Sequence, residues 1–336
     1  MSKNCDKGDM MKNITVIGFG SWGIALACLL AKNGNNVTAW EYDPAVAAQL
    51  DANREHKTFL PGVEIPKSIR ITSDVDDVMQ ADVFLVTLPS HVMAHAILQF
   101  VPHFAGKIVV SASKGLVDGK RICEYLAEIA PDCKIATLTG PSHAEEVGRD
   151  MPTTVVAASP CEQTARTVQD MFSGGNFRVY TAPDIVGAEL GGAIKNVIAL
   201  AAGIVDGLGF GDNTKAALMT RGLAEIARLG VAMGADEHTF AGLSGIGDLI
   251  VTCTSKHSRN WRAGNLLAAG KASDDVLKEV GMAVEGIHTA KTAQQLARKY
   301  NVDMPIVDEI NKILFDGKNP RDAVVDLMLR DRKGEH

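Results

Sequence analysis

The sequence predicts an α/β protein in two parts: a mainly parallel sheet with helices on both faces over residues 13–182, then an all-helical region over 183–336. Three observations carry that expectation. Apolar runs alternate with helical patterns through the first 180 residues, the signature of successive βαβ units. Strand signals stop after Pro183, and helical periodicity alone follows. The length, 336 residues, suffices for two cores of ordinary size.

Strands are expected over 14–18, 37–40, 69–72, 83–88, 108–111, 134–138, 153–157 and 177–180. Most are short, continuously apolar runs, as a sheet buried on both faces requires. Helices are expected over 22–32, ending at Gly34, and over 91–100; later ones fall over 185–205, 215–233, 283–299 and 305–315. Residues 1–12 are polar and charged without an apolar stretch, so they read as an extension and not a secretory signal. The longest small-apolar run, 197–205, is too short to span a bilayer.

Composition narrows the function. With 34 basic against 40 acidic residues the net charge is -6, which argues against nucleic acid or an anionic membrane as a bulk partner. The six cysteines form no C-x-x-C pair and none stands at metal-ligand spacing from a histidine. They read as isolated thiols of a reducing, cytoplasmic compartment, with no metal site. Glycines crowd between Val186 and Ile250, where close approach of backbone and substrate is expected.

Gly18-Phe19-Gly20-Ser21-Trp22-Gly23 is a G-x-G-x-x-G motif behind the first strand and ahead of the first helix. Gly18 permits the tight turn, Gly20 lets the backbone approach a pyrophosphate, and Gly23 lets helix and strand pack closely. The helix N-terminus adds free N–H groups and a positive dipole end. This is the Rossmann-type fingerprint of a dinucleotide site. Glu41, directly behind the second strand, is placed to accept from the adenosine ribose hydroxyls and to repel a 2′-phosphate. No arginine follows it, which favours NAD over NADP unless Arg54 or Lys57 folds back. Lys114, at the end of the fifth strand, reads either as a phosphate or ribose contact or as a solvated loop lysine.

The second half carries the chemistry. Gly140-Pro141-Ser142 fixes a turn, and Ser142 with Glu145 three residues on is expected to form a capping box. Lys195 has Ala188, Gly191, Gly192, Ala199 and Ala202 at helical spacing and no carboxylate at i±3 or i±4. An ammonium on such a face is a candidate for proton transfer, its pKa lowered by desolvation. Asp248, in a glycine-lined turn, would bond a substrate hydroxyl, orient Lys195, or simply form an Asx turn. Residues 249–273 contain no acid, and Ser258-Arg259-Asn260 gathers donors suited to a small phosphate.

In order along the chain stand G-x-G-x-x-G, Ser113-Lys114-Gly115, Gly140-Pro141-Ser142 with Ala144-Glu145-Glu146, Lys195-Asn196, Gly245-Ile246-Gly247-Asp248-Leu249, Ser258-Arg259-Asn260 and Val284-Glu285-Gly286. Together they resemble the bacterial NAD(P)-dependent glycerol-3-phosphate dehydrogenases over residues 13–330. The resemblance implies interconversion of dihydroxyacetone phosphate and sn-glycerol 3-phosphate for glycerophospholipid synthesis, by a cytoplasmic homodimer whose active site lies between the two domains. It implies Lys195 as general acid/base. It puts Ser21, Trp22, Lys114, Ala144, Arg259, Ala283 and Glu285 on the cofactor. It puts Lys114, Gly140, Ser142, Lys195, Asp248, Ser258, Arg259 and Asn260 on the substrate. Members using NADP often carry a basic residue after the second strand, where this chain has Glu41-Tyr42. Two rival readings are a β-hydroxyacid-type dehydrogenase, against which the acid-free Arg259 segment argues, and a non-catalytic dinucleotide sensor, which would need neither Lys195 nor Asp248.

Overall fold

The computed structural model describes residues 11–78, 80–332 and 334–335; most of the polar extension lies outside them. The chain runs β1 (Asn13–Ile17), α1 (Ser21–Lys32), β2 (Asn36–Trp40), α2 (Pro44–Asn53), β3 (Arg70–Thr72), β4 (Val83–Val86), α3 (Ser90–Ala96) and β5 (Ile108–Ser111). A small hairpin, β6 (Leu116–Val117) and β7 (Lys120–Arg121), leads into α4 (Ile122–Ile129), β8 (Lys134–Thr139), α5 (Ala144–Val147), β9 (Thr153–Ala158), α6 (Glu162–Phe172) and β10 (Phe177–Ala182). Eight strands form one sheet in the order β10-β9-β8-β5-β4-β1-β2-β3. The central strands are the most apolar: all four residues of β4 are buried, and Val16 of β1 lies between Ala39 of β2 and Leu85 of β4.

One pairing departs from the parallel plan. β9 runs antiparallel to β8, and β10 then follows β9 in parallel. The segment between β8 and β9 holds only the one-turn helix α5. A parallel return needs a crossover of a dozen or more residues, usually a full helix, whereas a short link leaves the next strand reversed.

After β10 the described chain is helical: α7 (Ile185–Gly207), α8 (Asp212–Ala232), α9 (Glu237–Phe240), a π turn over Leu243–Gly247, α10 (Asp248–Thr254), α11 (Arg259–Ala268), α12 (Ser273–Val280), α13 (Glu285–Lys299), α14 (Pro305–Phe315) and α15 (Pro320–Met328). α7 is the axis, packed against α8, α10, α11, α13 and α14. At 23 residues it is long and apolar enough to cross a membrane, contrary to the short-run expectation, but 83% of its apolar window is buried inside the protein. It is a core helix.

That burial explains the crowded glycines, and the expected reason needs correcting. A Cβ at Gly203 would lie 2.1 Å from the Trp261 carbonyl oxygen and 2.9 Å from Gly264 Cα. One at Gly191 would meet the Ser244 carbonyl oxygen at 2.3 Å, and one at Gly230 the Phe240 ring at 2.2 Å. These glycines let other parts of the chain approach α7 and α8 closely; they make no room for substrate.

Candidate functional site: a cleft between sheet and helices

A cleft of about 750 Å³ opens where the carboxyl ends of β1, β2, β4, β5 and β8 face α7, α10, α11 and α13. Ligands bind at this edge of open α/β sheets. On the sheet side it is lined by Gly18–Trp22, Glu41, Tyr42, Ser113, Lys114, Ser142, His143 and Ala144. Lys195, Thr252, Ser258, Arg259, Asn260, Ala283 and Glu285 line the helical side. The predicted residues thus converge, with three set behind the wall: Gly23, Gly140 and Asp248.

The glycine-rich turn is built as the motif requires. Gly18 has φ +96°, and Thr87 Oγ1 pins the turn by donating to the Gly18 carbonyl at 2.6 Å. A Cβ on Gly23 would lie 2.1 Å from the Gly18 carbonyl oxygen. Gly20 differs. Its backbone is extended (φ -75°, ψ -170°), and a Cβ there would meet nothing within 4 Å. Neither strain nor packing demands glycine, so the side chain is missing only from the open space before the α1 N-terminus. That end has no side-chain cap and no acid in its first turn. Open N–H groups at the head of this cradle fit a dinucleotide pyrophosphate. Trp22 donates Nε1–H to the Ala112 carbonyl at 3.0 Å, bracing the turn against the end of β5.

Glu41 stands at the rim, half-buried, with burial raising its carboxyl pKa above the usual value and the backbone N–H groups of Asp43 and Tyr42 partly opposing that. Arg54 does not fold back. Its guanidinium is bound to Asp51 and to the Ile69 carbonyl (2.7 Å).

Lys195 projects from α7 with 4% of its surface exposed. Its Nζ donates to Asp248 Oδ1 and, at 2.8 Å, to Thr252 Oγ1. Lys114 Nζ lies 2.9 Å from Asp248 Oδ2 and donates to the Gly140 carbonyl at 2.8 Å and to Ser142 Oγ at 3.3 Å. One carboxylate therefore serves two ammoniums. Burial drives the Lys195 pKa from 10.5 down to about 7; Asp248 opposes the shift and Lys114 reinforces it. Sequence reading missed Thr252, although its i+4 spacing from Asp248 on α10 puts both on one face.

Three side chains behave differently from expectation. Ser142 caps nothing: α5 begins at Ala144 with His143 in the N-cap position, and the serine hydroxyl bonds Gly140 and Lys114. Ser258 does cap, accepting from Trp261 N at 3.2 Å at the start of α11. Asn260 is engaged internally, donating to Asn196 Oδ1 at 2.9 Å and accepting from Gly286 N at 2.8 Å. Among the described hydrogen bonds and ion pairs, none involves the Arg259 guanidinium, which faces the cleft. Glu285 spans the opening: Ser90 donates to it through its backbone N–H (3.0 Å) and its hydroxyl. Ser90 was not anticipated. Its partner contact explains Gly115, where a Cβ would strike Ser90 Cβ at 2.6 Å and Glu285 Oε2 at 2.8 Å. Among the described residues no group of three or more His, Cys, Asp or Glu could hold a metal ion.

A nucleotide-cradling turn facing a buried lysine–carboxylate centre defines a nicotinamide-dependent dehydrogenase. Models of the NAD-dependent glycerol-3-phosphate dehydrogenase N-terminus and C-terminus match residues 13–165 and 184–325. The chain belongs to that family. It is 51% identical over 328 residues to the glycerol-3-phosphate dehydrogenase [NAD(P)+] of Desulfitobacterium hafniense, covering 97% of this chain and 93% of that one. Against the enzyme of the same name from Bacillus subtilis it is 52% identical over 332 residues, covering 97% and 96%. The crystal structure of glycerol-3-phosphate dehydrogenase from Coxiella burnetii superposes with a TM-score of 0.92 at 34% identity, covering 95% of this chain and 99% of that one.

Proposed function

We propose that the cleft reduces dihydroxyacetone phosphate to sn-glycerol 3-phosphate, and oxidises it in reverse, with the sheet region (13–182) holding the dinucleotide and the helical region (183–336) the substrate. The observation that carries this is the Lys195–Asp248–Lys114 centre, beside an unengaged arginine at a helix N-terminus. The nicotinamide, when bound, supplies or takes up the hydride. As negative charge grows on the carbonyl oxygen, Lys195 Nζ hydrogen-bonds it and delivers a proton; in the oxidative direction the neutral amine accepts one. A pKa of about 7 lets the lysine serve both directions. Asp248 holds Lys195 and Lys114 in register. Arg259, at the start of α11, binds the phosphate, and that binding energy orients the reacting carbon.

The Glu41 carboxyl at the ribose end supports NAD over NADP. The five described cysteines are free thiols, which supports a reducing, cytoplasmic setting; the product of the reduction, sn-glycerol 3-phosphate, would serve glycerophospholipid synthesis. The test is absorbance at 340 nm with dihydroxyacetone phosphate and each reduced cofactor. Substrate-dependent oxidation of NADH is expected; none with either cofactor would refute the assignment.

A further inference from the structure

Of the acceptors that face the cleft beside Lys195, nearly all are taken; Asp248 Oδ2 and Thr139 Oγ1, which have no hydrogen-bond partner among the described residues, are buried behind its wall. Asp248 Oδ1 holds Lys195, and Oδ2 lies against Lys114. Asn196 Oδ1 accepts from Asn260, and Asn260 Oδ1 from Gly286 N. The Gly140 carbonyl takes both Lys114 and Ser142, and Thr252 Oγ1 takes Lys195. Yet dihydroxyacetone phosphate carries a free hydroxyl beside its reacting carbonyl, and that O–H needs an acceptor when it leaves water.

His143 meets the need. Its ring lines the cleft, and Nε2 lies 3.4 Å from the Val251 carbonyl, one residue from the threonine that holds Lys195. A carbonyl only accepts, so Nε2 carries the proton and Nδ1 is a bare acceptor. Nδ1 does not cap α5 and takes part in none of the described hydrogen bonds. Burial first, then the Lys195 ammonium, lowers the imidazole pKa; the Val251 carbonyl opposes the shift, the Lys114 ammonium adds to it, and Glu145 opposes it least.

Resting on the function proposed above, we propose that His143 Nδ1 accepts the hydrogen bond of the substrate hydroxyl adjacent to the reacting carbonyl, and so selects for that hydroxyl. A site built to bond a hydroxyl rejects the analogue that lacks it, because the buried partner is then left unpaired.

The test compares kcat/KM for dihydroxyacetone phosphate with that for its deoxy analogue, hydroxyacetone phosphate, in the wild type, His143→Gln and His143→Asn. Wild type should favour the hydroxylated substrate about tenfold or more. His143→Gln, which places its amide near Nε2, should bring the two substrates to near parity. His143→Asn, whose Oδ1 falls near Nδ1, should restore part of the preference. A general packing defect would lower both substrates together and leave the ratio alone. An unchanged ratio in His143→Gln, or no preference in wild type, would overturn the proposal. If His143→Gln does not fold, the wild-type ratio and that of His143→Asn decide. Wild type inert toward dihydroxyacetone phosphate would overturn the assigned reaction first, and this proposal with it.

Discussion

The Lys114 ammonium lies 2.9 Å from the Asp248 carboxylate whose other oxygen holds Lys195. The two lysines come from opposite sides of the cleft, one from the end of a strand and one from the middle of a buried helix. A single carboxylate, itself 1% exposed, therefore sets their spacing and opposes the burial that lowers the proton affinity of the deeper one.

That relationship predicts a pH dependence. Reduction needs Lys195 protonated, so kcat for reduction should fall as pH rises through about 7; oxidation needs the neutral amine and should rise over the same interval. Asp248 favours the ammonium, so Asp248→Asn lowers the lysine pKa further. The reductive limb should move to lower pH in that variant. A limb that stays in place or moves to higher pH would show that Asp248 does not govern Lys195.

Arg259→Ala should raise KM for the phosphorylated substrate by about 10- to 100-fold, the equivalent of one to two charged hydrogen bonds. Cofactor affinity, read by NADH fluorescence, separates this from a contact with the dinucleotide. An unchanged KM would place the phosphate elsewhere.

Glu41 should make NADH the better cofactor by kcat/KM. Because burial raises its pKa, the repulsion of a 2′-phosphate should weaken as pH falls and the carboxyl protonates. The NADH-to-NADPH ratio should therefore shrink toward acid pH in wild type and be small and flat in Glu41→Gln. A clear NADPH preference in wild type would contradict the assignment.

Gly203→Ala tests the packing that carries Lys195. A methyl 2.1 Å from the Trp261 carbonyl oxygen forces α7 and α11 apart, at an expected cost of about 1–3 kcal/mol in unfolding free energy. Chemical denaturation measures it. A variant as stable as wild type would mean that the two helices adjust freely.

Much of this was legible in the chain because the relevant signals are local. The G-x-G-x-x-G turn, Glu41 behind β2 and the small-residue face around Lys195 are properties of a few consecutive residues. What escaped depends on distant partners. Ser142 has every mark of a capping residue, yet its hydroxyl bonds the Gly140 carbonyl and Lys114, the latter far away in sequence. The reversal of β9 follows from how short the α5 link is, and the helical glycines from which segments press on α7. Thr252 acquires meaning only when α10 packs on α7, and Ser90 and His143 only when the helical region faces the sheet.

The central claim is that Lys195 moves the proton. The most direct measurement is kcat for dihydroxyacetone phosphate reduction by Lys195→Ala at saturating NADH, with NADH binding followed in parallel by fluorescence. The predicted result is a loss of about 10²-fold or more in kcat, the usual worth of a positioned general acid, with NADH binding retained. Turnover close to wild type would contradict it.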